Sequence, residues 1–455
     1  MTFDEALQYW HRRVDFERKT PLSGDFKLRN IALLLARLGD PQRRFRIVHL
    51  AGSKGKGSTS AMLDAILRAQ GYRVGLFTSP HLVRVEERIQ VDGEPMSRAE
   101  LIARLDDIRD AGCEPAPGES APLNESLTFF EIATALGFLH FALRRVDWAA
   151  IEVGLGGRFD STNVVLPEVA VITSISLDHT ETLGDTVAKI AFEKAGIVKA
   201  GRPTVSGVVD TPAREVIEKR CADVGSPLFE RGRDFTFVHE PAHIDDADRP
   251  ASAIIATWRR QLPALALNLV GAHQAANAAV AVAAIECLRD AGVPITDDAI
   301  AAGLAGVTWP ARLEVLGRKP LVVLDCAHNV ASAEALREAI LNSFPVRGRR
   351  ILIFGGSRDK DIAGMLALLT PLFGDVIFTR FGSNPRAVEV ERLFEWMPMG
   401  TTCQAHGASD PAAALAQALA MAGADDMICV AGSVFLAGEL RPMLLERRTV
   451  RKPVS

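Results

Sequence analysis

The sequence predicts an α/β fold in which a P-loop-containing N-terminal domain with a parallel sheet precedes a smaller Rossmann-like C-terminal domain. Apolar, β-branched runs alternate with helical patterns in two separate series, and this alternation is typical of open α/β sheets. A glycine-rich loop joins the first run to the first helical pattern of that series, and a segment around Trp309 and Pro310 separates the two series. A length of 455 residues fits two or three domains.

The first series begins with a short β-branched run at 46–52, followed by glycines and by an apolar-periodic segment at 58–70 that predicts a helix. Two later runs, at 148–154 and 169–176, are apolar at consecutive positions, which is typical of buried parallel strands. A further strand is predicted at 72–79 and a further helix at 127–144.

The second series lies in the last third of the chain. Its four predicted strands are separated by helical patterns and lie at 320–329, 350–357, 375–380 and 426–433. The segment 307–317 lies between the two series and is the best candidate for a linker. We therefore expect a first domain at 1–305 and a second at 306–455. The pattern at 203–261 is weaker and predicts only short β-like runs.

The composition is that of a globular protein, and it argues against several classes of partner. A hydrophobic content of 48% and a net charge of −4 give no reason to expect a nucleic acid or an anionic membrane. The six cysteines form no Cys-x-x-Cys pair, and the charged N-terminal segment lacks the apolar core of a signal peptide. Residues 261–285 contain no charged side chain, but a proline and several polar residues interrupt them. We expect a cytoplasmic monomer with no membrane partner.

The glycine-rich loop, GSKGKGST at 52–59, lies between the first predicted strand and its helix. Glycines let backbone N–H groups approach phosphate oxygens, and a helix N-terminus favours anions. Lys56 can reach the β- and γ-phosphates of a nucleotide, and a serine hydroxyl can bind Mg²⁺. The spacing differs from the common P-loop pattern, and a flexible surface turn is the alternative interpretation.

The loop and several later motifs resemble the folylpolyglutamate synthase and dihydrofolate synthase family, a branch of the Mur ligases. The resemblance covers nearly the whole chain and rests on an ordered set of motifs. These are HLAGSKGKGSTS (49–60), LFTSPHL (76–82), IEVGLGGRFDSTN (151–163), LDHTETLG (177–184), FEKAGIVK (192–199), HQAANAAVA (273–281), DCAHN (325–329) and GSVFLAGE (432–439). A single such motif would be weak evidence, whereas the ordered set is specific.

The resemblance implies that the loop binds ATP through Gly52, Gly55, Lys56, Gly57, Ser58 and Thr59. It also implies magnesium ligands at Ser79, Glu152 and His179, with Ser58 serving the ion on the nucleotide side. From the residues alone, Glu152 could instead cap a helix. His179 could be a general base or a loop histidine, because imidazole is a poor ligand for Mg²⁺. A monovalent cation is a further cofactor that we consider.

Lys194 matches the lysine that this family carbamylates, which implies a catalytic role beside Lys56 and His179. A carbamylated lysine presents a carboxylate-like end that can bind or orient a metal. The alternative is a lysine on the helix surface that pairs with Glu193 or Asp185.

By the same resemblance, Asn277, Arg312, Asp325 and His328 hold the adenosine and phosphate groups of the nucleotide. Asn277 could otherwise form a hydrogen bond between helices. The family's usual glycine before the arginine is Ala311 here, and alanine has fewer backbone conformations than glycine.

The resemblance assigns the pterin-side pocket to two segments. Their residues are Thr128, Phe129, Phe130 and Glu131, followed by Phe159, Asp160 and Ser161. The two adjacent phenylalanines offer aromatic faces to a pterin, but such a pair at the start of a helix more often belongs to the core.

The predicted function is a Mg²⁺- and ATP-dependent ligase that adds L-glutamate to dihydropteroate, to the γ-carboxyl group of a folate, or to both, through an acyl phosphate. Two alternatives remain at this point. The first is another Mur-type ligase with a UDP-sugar peptide acceptor, and the second is a P-loop protein that binds nucleotide without ligation. The predicted reaction also needs the two domains to close on the nucleotide.

Overall fold

The structure is a computed structural model, and it describes residues 1–14, 28–118, 120–245 and 248–450. The chain forms two compact units. The N-terminal unit comprises Met1–Val238, Ala253–Leu265 and Gln274–Val307, and the C-terminal unit comprises His239–Ser252, Ala266–His273 and Thr308–Ser455. The last crossing between the units therefore lies after Val307.

Two short segments differ from the expectation of a single boundary near residue 305. Residues 239–252 and 266–273 belong to the C-terminal unit although they precede that boundary. Contacts with later residues explain the first of them: Ile244 N–H donates to the carbonyl of Ser343 over 2.8 Å, and Arg318 pairs with Asp248.

The N-terminal unit contains an eight-stranded sheet in the order β4-β3-β2-β5-β1-β6-β7-β8. Its strands are β1 (Arg46–Ala51), β2 (Val74–Phe77), β3 (Ile89–Val91), β4 (Glu94–Pro95), β5 (Trp148–Glu152), β6 (Val169–Ile172), β7 (Thr204–Ser206) and β8 (Leu228–Glu230). Pairing is antiparallel between β2 and β3 and between β3 and β4, and parallel elsewhere. The predicted strands β1, β2, β5 and β6 are confirmed, and β2, β5 and β6 are buried throughout.

Eleven helices in the described residues accompany this sheet. They are α1 (Phe3–His11), α2 (Arg29–Arg37), α3 (Lys56–Ala69), α4 (Arg98–Ala111), α5 (Leu123–Ser126), α6 (Phe129–Leu143), α7 (Thr180–Leu183), α8 (Val187–Lys194), α9 (Thr211–Val224), α10 (Ala272–Asp290) and α11 (Asp297–Gly306). Both helices that the sequence predicts in this region are present as α3 and α6. Helix α11 approaches α3 so closely that a Cβ on Gly303 would lie 2.5 Å from the Cα of Ile66.

A small sheet occupies the region where the sequence pattern is weak. Its strands are β9 (Thr236–Glu240), β10 (Ala251–Ala256) and β11 (Leu265–Leu267), in the order β11-β10-β9. Burial alternates along β10, which is typical of a strand with one covered face.

The C-terminal unit contains a six-stranded sheet in the order β12-β13-β17-β14-β15-β16. Its elements are β12 (Glu314–Arg318), β13 (Leu321–Leu324), α12 (Val330–Ser343), β14 (Arg350–Phe354), α13 (Ile362–Leu369), β15 (Asp375–Phe378), α14 (Val390–Glu395), β16 (Gln404–Gly407), α15 (Pro411–Met421), β17 (Met427–Ala431) and α16 (Val434–Val450). The four predicted strands are β13, β14, β15 and β17, and all of them pair in parallel. The predicted linker at 307–317 contains the start of β12, which pairs antiparallel with β13.

The α/β fold class is therefore confirmed in both units. None of the helices in the described ranges is long and apolar enough to cross a membrane. All six cysteines are free thiols, and only Cys113 is exposed.

Candidate active site

Four neighbouring strands of the N-terminal sheet, in the order β2-β5-β1-β6, end at one edge. From β1 the chain passes the position of β5 to reach β2. From β5 it later passes β1 in the opposite direction to reach β6. Ligand sites of open α/β sheets lie outside the carboxyl ends of the strands at such a reversal. Glu152 is the last residue of β5, and Ser79 and the loop at 52–59 follow strands that end at the same edge.

The phosphate loop needs glycine at two positions. Gly52 has φ 156°, and a Cβ there would lie 2.0 Å from Oγ1 of Thr173. Gly55 has φ 82°, and its Cβ would lie 2.3 Å from Oδ1 of Asn277. Larger residues would force the loop away from these neighbours, so the glycines fix the course of the backbone.

The segment after β6 holds the phosphate loop in place. Ser53 N–H donates to the carbonyl of Ser174 over 2.8 Å, and Oγ1 of Thr173 donates to the carbonyl of Lys54 over 2.6 Å. Lys54 also pairs with Asp178, with Nζ 2.5 Å from Oδ2. The sequence interpretation missed these three partners, although Asp178 directly precedes His179 in a motif that it used.

Lys56 is the first residue of α3 and points back over the loop. Its Nζ donates to the carbonyl of Gly52 over 3.0 Å and lies 3.8 Å from Oε1 of Glu152. Ser58 and Thr59 are buried in the first turn of α3, and within the described part of the chain Oγ1 of Thr59 has no hydrogen-bond partner. A cation and the N-terminus of a 14-residue helix therefore meet at one point, which suits an anion.

Glu152 is the last residue of β5, and its carboxylate is buried beside the loop that follows β2. Ser79 N–H donates to Oε2 of Glu152 over 3.4 Å. The predicted ligands Ser58, Ser79 and Glu152 offer hard oxygen atoms. Among the described residues no group of three or more His, Cys, Asp or Glu side chains forms a metal cluster. The oxygen donors of Ser58, Ser79 and Glu152 suit Mg²⁺, which binds through few protein groups together with water and phosphate oxygens.

His179 lies next to the Lys54–Asp178 pair. Its Nε2 is 4.0 Å from Oδ1 of Asp178, and its side chain is 51% exposed. The backbone is left-handed, with φ 51°, as the chain enters α7. The structure thus places this histidine at the exposed end of the segment that follows β6.

Lys194 ends α8 and is only 4% exposed. Burial, reinforced by the positive charge of Lys56, lowers the pKa of Lys194 to about 7. The alternative of a surface lysine paired with Glu193 or Asp185 is wrong, because Glu193 pairs with Arg158 and Asp185 pairs with Lys189. A buried amine with a pKa near neutrality is chemically reactive.

Asp160 organises the loop that follows β5. Its Oδ2 accepts from the N–H groups of Gly154 and Leu155, each over 3.0 Å, and its Oδ1 accepts from Thr162 N–H over 3.0 Å. Burial raises the pKa of this carboxyl group. Ser161 is buried as well, with Oγ 2.5 Å from Oγ1 of Thr134. Both predicted substrate contacts therefore have internal partners.

The start of α6 also uses its side chains internally. Thr128 and Glu131 form a capping box, in which each side chain bonds the other's backbone N–H. Burial raises the pKa of Glu131. Phe129 is buried and stacks on Trp10, with ring centres 4.9 Å apart.

Two aromatic rings remain closer to the surface on this side of the unit. Phe130 packs against Gly154, where a Cβ would lie 2.4 Å from the ring, and it is partly buried. Phe159 is 42% exposed, and the guanidinium carbon of Arg158 lies 4.3 Å from its ring centre. Of the predicted pterin-side residues, these two rings have the most accessible faces.

Asn277 contacts the phosphate loop from α10. Its Nδ2 donates to Oε1 of Gln274 over 3.0 Å, and its Oδ1 faces Gly55. Gln274 lies in the same helix as Asn277, so this bond is not the alternative hydrogen bond between two helices. The structure brings this residue and the loop together, as the nucleotide prediction requires.

In the C-terminal unit, the other predicted nucleotide residues lie close together. Asp325 is buried, and its two oxygens accept from Leu313 N–H over 2.9 Å and from Ala327 N–H over 2.7 Å. Burial raises the pKa of Asp325. Nη1 of Arg312 donates to Sγ of Cys326, and Nδ1 of His328 lies 2.9 Å from the carbonyl oxygen of Cys326.

Ala311 adopts a left-handed conformation with φ 54°. Alanine rarely takes this conformation, which explains why glycine would be expected there. Because Ala311 is buried and accepts a hydrogen bond from Arg312 over 3.1 Å, the surrounding contacts hold the strained backbone.

The geometry agrees with the comparisons with known proteins. Residues 50–285 match the Mur ligase middle domain, and residues 311–434 match the Mur ligase glutamate ligase domain. The fold and site therefore define a Mur ligase.

Curated relatives narrow this class. The chain is 33% identical over 450 residues to a dihydrofolate synthase/folylpolyglutamate synthase of Bacillus subtilis, with 97% of this chain and 99% of the relative covered. It is 38% identical to a probable bifunctional folylpolyglutamate synthase/dihydropteroate synthase of Halobacterium salinarum, covering 97% of this chain but only 51% of that relative. The chain belongs to the folylpolyglutamate synthase/dihydrofolate synthase family.

Solved structures agree with this assignment. Escherichia coli FolC in complex with DHPP and ADP has a TM-score of 0.84 and 32% identity, with 98% of each chain covered. A Yersinia pestis bifunctional folylpolyglutamate synthase/dihydrofolate synthase complexed with AMPPNP and Mn has a TM-score of 0.82 and 31% identity, with 97% and 98% covered.

Proposed function

We propose that the chain is an ATP-dependent ligase that adds L-glutamate to dihydropteroate, to the γ-carboxyl group of a folate, or to both. The single observation that best supports this is the meeting of Lys56, Glu152 and the N-terminus of α3 at the end of β1 and β5, where a polyphosphate can lie beside a metal. The fold and family agree with this chemistry.

The reaction has two steps. A carboxylate oxygen of the folate substrate attacks the γ-phosphorus of ATP, and the bond to the β-phosphate oxygen breaks, giving an acyl phosphate and ADP. The amine of glutamate then attacks the acyl carbon, expels phosphate and loses a proton, which leaves an amide. Lys56 Nζ neutralises charge on the phosphoryl group in the first step, and the loop N–H groups of Gly52, Gly55 and Gly57 bind its oxygens.

Oxygen-rich residues support the assignment of a divalent metal. Ser58, Ser79 and Glu152, with His179 as a fourth ligand, would hold Mg²⁺. When bound, the ion neutralises oxygen charge on the reacting partners. A monovalent cation is a further proposed cofactor.

Carbamylation of Lys194 is supported by its burial and low pKa. A neutral amine attacks carbon dioxide at carbon and releases one proton, giving a carbamate. The pKa of about 7 makes a large fraction of the amine neutral at physiological pH. The negative carbamate would then lie beside the cationic Lys56, where it can orient the metal.

We propose nucleotide-binding residues in each of the two predicted domains. Thr59 and Asn277 belong to residues 1–305, which we assign to ATP binding. Arg312, Asp325 and His328 belong to residues 306–455, which we assign to glutamate ligation. On the folate side, Phe130 and Phe159 have the most accessible rings and are proposed to contact the pterin. The remaining predicted residues have internal partners and are proposed to hold the backbone around it; these are Thr128, Phe129, Glu131, Asp160 and Ser161.

The deciding experiment measures glutamate incorporation with one purified preparation and three acceptors: dihydropteroate, tetrahydrofolate and a UDP-muramoyl peptide. We expect radiolabelled glutamate in one or both folates and none in the UDP-sugar. Incorporation into the UDP-sugar peptide alone would identify a different Mur-type ligase. ATP hydrolysis that needs neither folate nor glutamate would instead identify a nucleotide-binding protein without ligase activity.

We also propose that the enzyme acts in the cytoplasm as a monomer. Six free thiols, five of them buried, suit a reducing compartment. Light scattering of the purified chain tests the oligomeric state, with a mass near 49.1 kDa expected.

A further inference from the structure

Arg88 is a buried arginine that the proposed reaction does not use. It ends a short helical turn, Val85–Arg88, directly before β3. Among the arginines whose side chains the structure describes, it is the only buried one, with 1% exposed. A guanidinium removed from water is unfavourable unless its partners compensate, so those partners indicate why it is there.

The contacts of Arg88 bracket Ser79 in the chain. Its Nε donates to Nδ1 of His81 over 2.9 Å, and its carbonyl oxygen accepts from Thr78 N–H over 3.0 Å. A guanidinium only donates, so Nδ1 of His81 carries no proton in this bond. The backbone of Arg88 therefore holds Thr78, and its side chain holds His81.

The guanidinium of Arg88 also lies over an aromatic ring. Its carbon lies 5.2 Å from the ring centre of Phe129, which in turn stacks on Trp10. Phe129 opens α6, so its position is fixed by that helix. A cation held over an aromatic face gains further stabilisation when it is desolvated.

The neighbouring Glu87 supports the same loop. Its carboxylate accepts from the N–H groups of Leu82, Val83 and Arg84 over 2.9, 3.1 and 3.0 Å. Glu87 thus orders the later part of the loop, and Arg88 contacts the residues on either side of Ser79.

We infer that Arg88 is a positioning residue for the divalent metal, because it holds the loop at 78–81 so that Ser79 stays beside Glu152. This inference rests on the proposed role of Ser79 as a metal ligand. The link between Ser79 and Glu152 is only a 3.4 Å contact, so it depends on the loop being held from elsewhere. Loss of such a supporting partner weakens metal binding about 10- to 100-fold in other sites.

The test measures Mn²⁺ binding by electron paramagnetic resonance in the presence of AMPPNP, without turnover. Arg88→Lys keeps the charge but loses the Nε–H donor, and Arg88→Gln loses both. We expect each to weaken Mn²⁺ binding about 10- to 100-fold, while the melting temperature reports separately on stability. The matched control is Arg98→Gln. Arg98 is largely exposed and pairs with Glu86, which lies in the same turn as Arg88, so its loss should leave Mn²⁺ affinity unchanged.

A second pair of variants keeps the test decisive if the Arg88 variants do not fold. His81→Ala removes the acceptor, whereas His81→Asn keeps an oxygen near the position of Nδ1. We expect His81→Ala to weaken Mn²⁺ binding and His81→Asn to restore most of it. Folded Arg88 variants with wild-type affinity, or equal affinities for the two His81 variants, would overturn the inference.

Ser79→Ala separates this inference from the proposed function. If the wild-type chain binds no Mn²⁺, or if Ser79→Ala binds it normally, the metal role of Ser79 fails and the inference about Arg88 fails with it. If Ser79→Ala weakens binding and the folded Arg88 variants do not, only the role of Arg88 is wrong.

Discussion

The phosphate-loop side and the folate side of the N-terminal unit use their polar residues in opposite ways. At the loop, Lys56 has one backbone partner and a carboxylate 3.8 Å away, and Thr59 keeps a hydroxyl without a hydrogen bond in the described residues. On the folate side, Thr128 and Glu131 bond each other, and Asp160 accepts from three backbone N–H groups. One region leaves polar groups with few internal hydrogen bonds, whereas the other uses its polar groups in hydrogen bonds of its own.

This difference separates two meanings of a family motif. A motif residue can contact the ligand, or it can hold the backbone that contacts the ligand. The two classes respond differently to substitution: the first loses catalysis with little change in stability, and the second loses stability first.

The largest effect is expected at Lys56. Lys56→Ala removes the cation that neutralises the transferring phosphoryl group, so kcat should fall about 10³-fold. The melting temperature should change little, because the side chain is not part of the core. Folate- and glutamate-dependent ADP release measures the rate, and Lys219→Ala on the exposed face of α9 serves as the control. Full activity of Lys56→Ala would show that the loop is not the catalytic centre.

A second test concerns Lys194 and pH. Its pKa of about 7, lowered from 10.5, means that the amine is mostly neutral above pH 7 and mostly protonated below it. Carbamate should therefore be present at pH 8 and should be lost as the pH falls through about 7. A ¹³C resonance of the carbamate in ¹³C-bicarbonate buffer measures this.

The exposed Lys189 of the same helix provides a matched control for that resonance. Lys194→Ala should abolish the signal and lower kcat about 10²-fold, as expected for loss of an electrostatic contributor. Lys189→Ala should retain both. A carbamate signal that survives Lys194→Ala would assign the modification elsewhere.

Asp160→Asn should mainly affect stability. An amide in place of the carboxylate would turn an N–H₂ group toward at least one backbone N–H donor, which costs about 1–3 kcal/mol of unfolding free energy. Denaturant titration measures this change, and the KM for the folate acceptor should rise because the loop at 154–162 shifts. A large loss of kcat in a stable Asp160→Asn variant would instead show that Asp160 contacts the ligand.

Thr128→Ala is expected to have the smallest effect. Loss of the N-cap of α6 should lower the unfolding free energy by about 1 kcal/mol. Activity measured below the melting transition should stay within about twofold of wild type, since the hydroxyl serves the capping box. A selective rise in the KM for folate at unchanged stability would contradict this assignment.

The sequence was sufficient for much of the fold, since the parallel strands and the loop between β1 and α3 follow from local patterns. The family resemblance assigned Ser79, Glu152 and Lys56 to one site. The structure brings them together, because the carboxyl ends of adjacent parallel strands share an edge. The sequence could not predict the contact of Lys54 with Asp178, which joins residues far apart in the chain. It also missed the return of residues 239–252 to the C-terminal unit, because their short strands carry little periodic signal.

The sequence also did not predict which charged residues are buried. Spacing alone favoured Lys194 as a surface lysine, and only the packing of α8 places it inside. The burial of Arg88 was not predicted either, since a charged residue in a charged segment predicts a solvent-exposed turn. The family motif corrected the first interpretation, and the structure was needed for the second.

The central claim is that the substrate carboxylate becomes an acyl phosphate at the loop of 52–59. Folate substrate labelled with ¹⁸O in its reacting carboxylate tests it most directly, with ATP and glutamate present and inorganic phosphate analysed by mass spectrometry. The account predicts one ¹⁸O atom transferred to phosphate in each turnover with fully labelled substrate. Glutamate incorporation with phosphate free of ¹⁸O would contradict it.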